Sequence, residues 1–314
     1  MNRFKPALRL GGALLALGAG GWVLYRIAGS RFWALPPEAL GPLLERTLIA
    51  APLYAAGCVL LAGPWWLLLR HRGTALAAFP VALAVYARTQ LAKYLPGNVL
   101  HLVGRHALAS GMGLPHRALA GALMFEIGGL CLVAAVLAAI LGTPFALPAA
   151  AAWLGPGALI GLGAAGLALL LLGHRWAFRP AALGPGARLP SLVLGLLGYG
   201  GFFAVLGGIT ALLFGGLTAT GPGLPWAPLF GLAALAWLGG FATPGAPAGL
   251  GVRDAILLAG LHGLAPEAEA AGVVVALRLV TLGGDLLFGL AGLVLPLPSP
   301  ALGPESEKHR NATK

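Results

Sequence analysis

The chain has 314 residues, 59% of them hydrophobic and only 9% charged, with a formal net charge of +11 and a mean hydropathy of +0.89. Soluble domains carry roughly a quarter charged residues, so this supply cannot clothe a water-exposed surface, and a soluble enzyme is excluded. The cations are scattered among loops and form no basic stripe, which excludes nucleic acid as a partner and reads instead as the loop bias of a membrane protein.

In chain order, apolar runs long enough to cross a bilayer are predicted at 8–28, 47–69, 118–141, 152–173, 190–217 and 270–296. Arg3, Lys5 and Arg9 precede the first run as they would in a signal peptide. No small-x-small cleavage site closes that run, so it is read as an uncleaved span. Leu167 to Leu172 is apolar on every face, whereas a membrane barrel needs alternating apolar and polar positions. Helices are therefore the reading. The 50 glycines and 25 prolines sit inside apolar segments, where membrane helices tolerate them and small residues permit close packing. Cys58 and Cys131 form no CxxC pair and the seven histidines no HExxH arrangement, so buried inert thiols and no metal are expected. Asn311-Ala312-Thr313 matches a glycosylation sequon, without meaning if the tail is cytoplasmic.

Two stretches, 76–110 and 226–262, are apolar but interrupted. Each is either a full span with a re-entrant half-helix, giving eight spans, or a helical hairpin that enters and leaves on one side. With two hairpins the chain makes six crossings, and Arg70, Arg72, Arg117, Arg175, Arg179, Arg188 and both basic termini fall inside. Arg26, Arg31 and Arg46 stay outside with Glu38 and Glu45. With full crossings Arg175, Arg179 and Arg188 move outside, so the positive-inside rule favours the hairpins. The first hairpin then enters from inside and the second from outside, which makes 47–141 and 190–296 inverted repeats. Secondary transporters commonly use that arrangement. The fold expected is all-α: one polytopic transmembrane domain over 1–300 and a cytoplasmic tail at 301–314.

The breaks carry the chemistry. The first runs Lys93-Tyr94-Leu95-Pro96-Gly97-Asn98 and reaches Arg105; the second holds Pro244 and Gly245, then Gly249, Gly251, Arg253 and Asp254. Pro96-Gly97 and Pro244-Gly245 each stand nine residues before an arginine. Proline and glycine end one helix and let another begin. A helix N-terminus inside the membrane offers unpaired N–H groups and partial positive charge to an anion. Arginine suits phosphate because its fork donates two bonds at once. The bland alternatives are a kinked span with snorkelling cations and an ordinary polar loop in which Arg253 pairs with Asp254.

Glu126, Arg278 and Asp285 fall inside predicted spans. A charge at mid-bilayer costs about 2.5–3.5 kcal/mol on insertion scales, so such groups pair or line a wet cavity. Arg278 and Asp285 are seven residues apart, on similar faces of one helix. Glu126 has no partner on its own helix and needs Lys93, Arg105 or Arg253. Plain interhelical ion pairs are the alternative to a ligand site. Cations outnumber anions in the set, which favours an anionic ligand. No GxSxG, P-loop or Rossmann fingerprint is present, and no enzyme activity or cofactor is expected.

At KYLPGNV (Lys93 to Val99) with Arg105, and at Pro247 to Asp254, the chain resembles the transmembrane region of lysylphosphatidylglycerol synthases, the flippase-like part of the multiple peptide resistance factor. Only those two motifs are specific. The second usually reads near PGGlGvrEa; here Asp254 replaces the glutamate and Ala248 a glycine. The resemblance implies lipid translocation between leaflets of the bacterial inner membrane, and not aminoacylation, since the 314 residues include no soluble catalytic domain. The cargo expected is an anionic or aminoacylated phospholipid, or a lipid-linked intermediate. The alternative is a membrane partner that presents lipid to a separate enzyme. Expected partners are membrane lipids with a phosphate headgroup, joined by a second copy of the chain or a lipid-modifying enzyme.

Overall fold

All regular structure among the described residues is helical. The structure, a computed structural model, describes residues 37–70, 75–95, 99–142, 189–217, 223–243 and 246–297, with a few single positions in 21–35 and 161–168. The predicted spans at 8–28 and 152–173 lie almost wholly outside the described residues, and the 301–314 tail lies entirely outside them.

The helices are α1 (Pro37–Leu69), α2 (Phe79–Gln90), α3 (Leu100–Gly111), α4 (His116–Leu137), α5 (Leu189–Leu217), α6 (Trp226–Ala242), α7 (Val252–Leu261) and α8 (Glu267–Val294). Four of the described helices, α1, α4, α5 and α8, are long and apolar enough to cross a membrane. They fall on the predicted runs at 47–69, 118–141, 190–217 and 270–296. The largest difference is at α1, which begins at Pro37 instead of 47. Glu45 and Arg46 were expected in an outer loop. Arg46 instead remains in the helix because its Nη1 donates to the Leu212 carbonyl of α5 at 2.8 Å.

The elements repeat. A long helix, a shorter helix, a 3₁₀ turn, a short helix and a long helix follow one another twice: α1, α2, Leu91–Tyr94, α3, α4, then α5, α6, Pro247–Gly249, α7, α8. The helices flanking each break pack against each other, and the two 3₁₀ turns touch. Both breaks have a local cause. A residue before proline is pushed out of the helical region. Leu95, before Pro96, has ψ 152°, and Thr243, before Pro244, has ψ 109°. α4 and α8 start from prolines in extended geometry, Pro115 and Pro266.

α1 and α5 share the most extensive contact, and α8 packs on α1 and α2. In lipid there is little hydrophobic drive between helices, so small residues set how closely they approach. Gly57 of α1 faces Val205; Gly284 of α8 faces Ala51 and Tyr54; Gly292 faces Ala87. Tyr199, Phe202 and Phe203 of α5 are fully buried at the centre. Outward, Leu44, Leu48 and Ile49 on α1, Leu197 on α5, and Leu279 and Leu286 on α8 are exposed. An apolar outer face of this extent belongs against lipid.

The second break is the tightest point. Ala248, Gly249 and Gly251 have φ of 48°, 69° and 81°, a region costly to residues with a Cβ. A Cβ on Gly249 would also stand 2.9 Å from Gly240 Cα on α6. The neighbour is backbone and has nowhere to go. Gly249→Ala is therefore expected to cost about 1–3 kcal/mol, read as a lower unfolding midpoint in detergent. An unchanged midpoint would mean that α6 and this turn do not hold that approach.

Candidate functional site

Seven ionisable side chains singled out from sequence are described: Lys93, Arg105, Glu126, Arg253, Asp254, Arg278 and Asp285. Six of them form three ion pairs. Lys93 Nζ lies 2.7–2.8 Å from the two Asp285 oxygens, and the Tyr94 hydroxyl donates to Asp285 Oδ2 at 2.6 Å. Arg105 Nη1 donates to both oxygens of Glu126, at 2.6 and 2.7 Å, and the Tyr86 hydroxyl donates to Oε1 at 2.8 Å. The Arg105 guanidinium also lies over the Tyr86 ring, 3.4 Å from its centroid. Arg278 Nη2 donates to Asp254 Oδ2 at 2.5 Å, and the Gly251 N–H donates to the same oxygen at 3.2 Å.

Two of these pairs occupy equivalent places. Arg105–Glu126 ties α3 to α4, and Asp254–Arg278 ties α7 to α8. Glu126 is ten residues into α4 (116 to 126) and Arg278 eleven into α8 (267 to 278). The charges are exchanged: the short helix supplies the cation in the first unit and the carboxylate in the second. The third pair crosses between units, from the first break to α8.

Arg253 is the remaining member. Its side chain is 9% exposed, and it makes no ion pair or hydrogen bond among the described residues. The alternative of a local pair with Asp254 is not what forms, because Asp254 turns to Gly251 and Arg278. Four cations thus stand against three carboxylates in this group.

Arg253 lines a cavity of about 80 Å³ where the two breaks meet. Lys93 and Tyr94 border it from the first break, and Ala248 and Gly249 from the second. Tyr86, Gln90, His101 and Glu126 form polar wall; Tyr54, Phe202, Trp237 and Phe241 form aromatic wall. Trp237 and Phe241 stack with centroids 5.0 Å apart. Gln90 Oε1 and His101 Nδ1 are buried without a partner, a state that costs free energy unless something occupies the site.

Of the residues singled out from sequence, Lys93, Tyr94, Glu126, Gly249 and Arg253 line the cavity. Arg105 and Asp285 stand outside the lining and bond to its members Glu126, Lys93 and Tyr94, while Gly251, Asp254 and Arg278 bond to one another. Pro96, Gly97, Asn98, Pro244 and Gly245 lie outside the described residues. The expectation that Lys93, Arg105 and Arg253 jointly face a ligand is narrowed, since the first two already have carboxylate partners. Tyr54, Tyr86, Gln90 and Trp237 were not expected. Gln90 carried a signal, lying between Arg88, Thr89 and Lys93 in a polar cluster before the break. The other three read as apolar filler.

No protein-family model matches the chain, and no curated protein is significantly similar to it.

Proposed function

We propose that the chain is a lipid transporter of the bacterial inner membrane that moves a lipid with a phosphate headgroup between leaflets. The observation that carries this reading is Arg253, a buried arginine without an ion-pair partner among the described residues, in a cavity between two helix breaks. An uncompensated charge is expensive in a membrane and marks a ligand or ion path. The resemblance at Lys93 to Val99 and Pro247 to Asp254, a stretch that includes Arg253, implies lipid translocation as well.

Three of the four helices at the breaks are too short to cross alone, which favours re-entrant hairpins over extra crossings. α2 and α3 have 12 residues each and α7 has 10, so they reach about 15–18 Å against a hydrocarbon core of about 30 Å; α6, with 17 residues, reaches about 25 Å. The repeated element order, with the charge distribution, supports two inverted repeats of opposite entry and cytoplasmic termini. Their breaks meet at one site, as in transporters built from interrupted helices. The headgroup would pass between the hairpins while the acyl or prenyl chains stay in lipid.

Reconstitution tests the reading. Proteoliposomes carrying the full chain are expected to move labelled anionic phospholipid between leaflets faster than protein-free vesicles, measured by quenching of the outer leaflet. No transfer across a panel of anionic and aminoacylated lipids would overturn it.

A further inference from the structure

We infer that the cavity takes a single phosphate group of an anionic lipid and rejects the same lipid once it bears a cationic aminoacyl group. The inference rests on the transporter reading for its context and narrows the cargo which that reading leaves broad.

Charge is the first ground. Every carboxylate of the set is already engaged. Glu126 takes Arg105 and Tyr86, Asp285 takes Lys93 and Tyr94, and Asp254 takes Arg278 and the Gly251 N–H. An ammonium entering the cavity would meet no free carboxylate and would face Arg253. A phosphate would meet Arg253, which has no ion-pair or hydrogen-bond partner among the described residues, and the arginine fork can grip two of its oxygens.

The unpartnered polar atoms are the second ground. His101 is 9% exposed and Gln90 is 5% exposed, and both line the cavity with an atom that bonds to nothing. The imidazole can donate to a phosphate oxygen, and the amide, by rotation, offers either donors or an acceptor. With Arg253 they give one anion contacts from both sides of the meeting point. Arg253 and Gly249 come from the second unit, Gln90 and His101 from the first.

Size is the third. A cavity of about 80 Å³ is on the order of half the volume that takes a benzene ring. A phosphate group fits that space, with the rest of the lipid outside it.

The test uses the full chain in nanodiscs of zwitterionic lipid, titrated calorimetrically with short-chain phosphatidylglycerol, its lysyl ester, short-chain phosphatidylcholine and inorganic phosphate. Phosphatidylglycerol is expected to bind at least about tenfold more tightly than the lysyl ester or phosphatidylcholine, with inorganic phosphate weaker. Arg253→Gln should erase the preference while circular dichroism shows the helical content retained, and Arg253→Lys should keep part of it. Equal or tighter binding of the lysyl ester overturns the inference. Inorganic phosphate binding as tightly as the lipid also overturns it, because the site would then belong to a free anion. The two proposals fail separately. Selective binding without leaflet transfer removes the transporter reading alone, and equal transfer of both lipids removes the selectivity alone.

Discussion

Glu126→Gln is expected to destabilise the folded chain by about 3–5 kcal/mol, the cost of leaving one member of a buried ion pair alone. Arg105 is 3% exposed and uses only Nη1, on both Glu126 oxygens; its Nε and Nη2 bond to nothing. Removing the carboxylate charge therefore leaves the cation without its sole counter-charge. The Tyr86 ring face offsets only part of the loss, since cation–π contacts contribute about 2 kcal/mol when desolvated. Tyr86 can still donate to the glutamine oxygen, so the change isolates charge from hydrogen bonding. Unfolding of the detergent-solubilised chain gives the measurement. A double variant, Arg105→Met with Glu126→Gln, should recover much of the loss, because a buried pair is costly mainly when broken on one side. Additive losses would show that the two side chains are not coupled.

Arg253→Gln is expected to separate function from stability. If Arg253 grips the phosphate, its removal should slow lipid transfer by about 10–100-fold, the worth of a charged hydrogen bond. The folded chain should meanwhile be no less stable, and more stable if anything. The variant removes a buried charge with which no carboxylate forms an ion pair among the described residues, and such a charge costs about 2.5–3.5 kcal/mol where it lies at a bilayer centre. Functional sites keep such unfavourable groups at the expense of stability. Two measurements on one sample decide the matter, transfer rate in proteoliposomes and unfolding midpoint in detergent. A fall in both would make Arg253 a structural residue and remove the main support for the site.

Legibility in the sequence followed the range of the interactions. The span predicted at 190–217 matches the helix Pro190–Leu217, because nothing but apolar content is needed to specify it. The breaks were legible for a similarly local reason, as proline acts on the residue before it, and Leu95 and Thr243 are extended accordingly. The start of α1 was misplaced because Arg46 finds the Leu212 carbonyl, 166 positions away. Pairing was undecided for the same reason. Glu126 had three candidate cations, and packing of α3 on α4 selects Arg105. Arg278 and Asp285 share a face of α8 yet turn to different neighbours, Asp254 and Lys93. Ala248 shows the reverse case. Against the resembled motif it is a mild replacement of glycine, but at φ 48° it occupies backbone that costs a residue with a Cβ about 1–2 kcal/mol.

The exchanged polarity of the α3–α4 and α7–α8 pairs bears on how the chain assembles as it is made. Two units with the same order of helices offer each other's elements as wrong partners during insertion. Placing α3 beside α8 would bring Arg105 against Arg278. Placing α7 beside α4 would bring Asp254 against Glu126. Both mistakes set like charges together where little water screens them, and like charges close together in a low-dielectric setting repel strongly. Each short helix finds opposite charge at that level on the long helix that follows it from the ribosome, so order of synthesis and these two ion pairs favour the same neighbours.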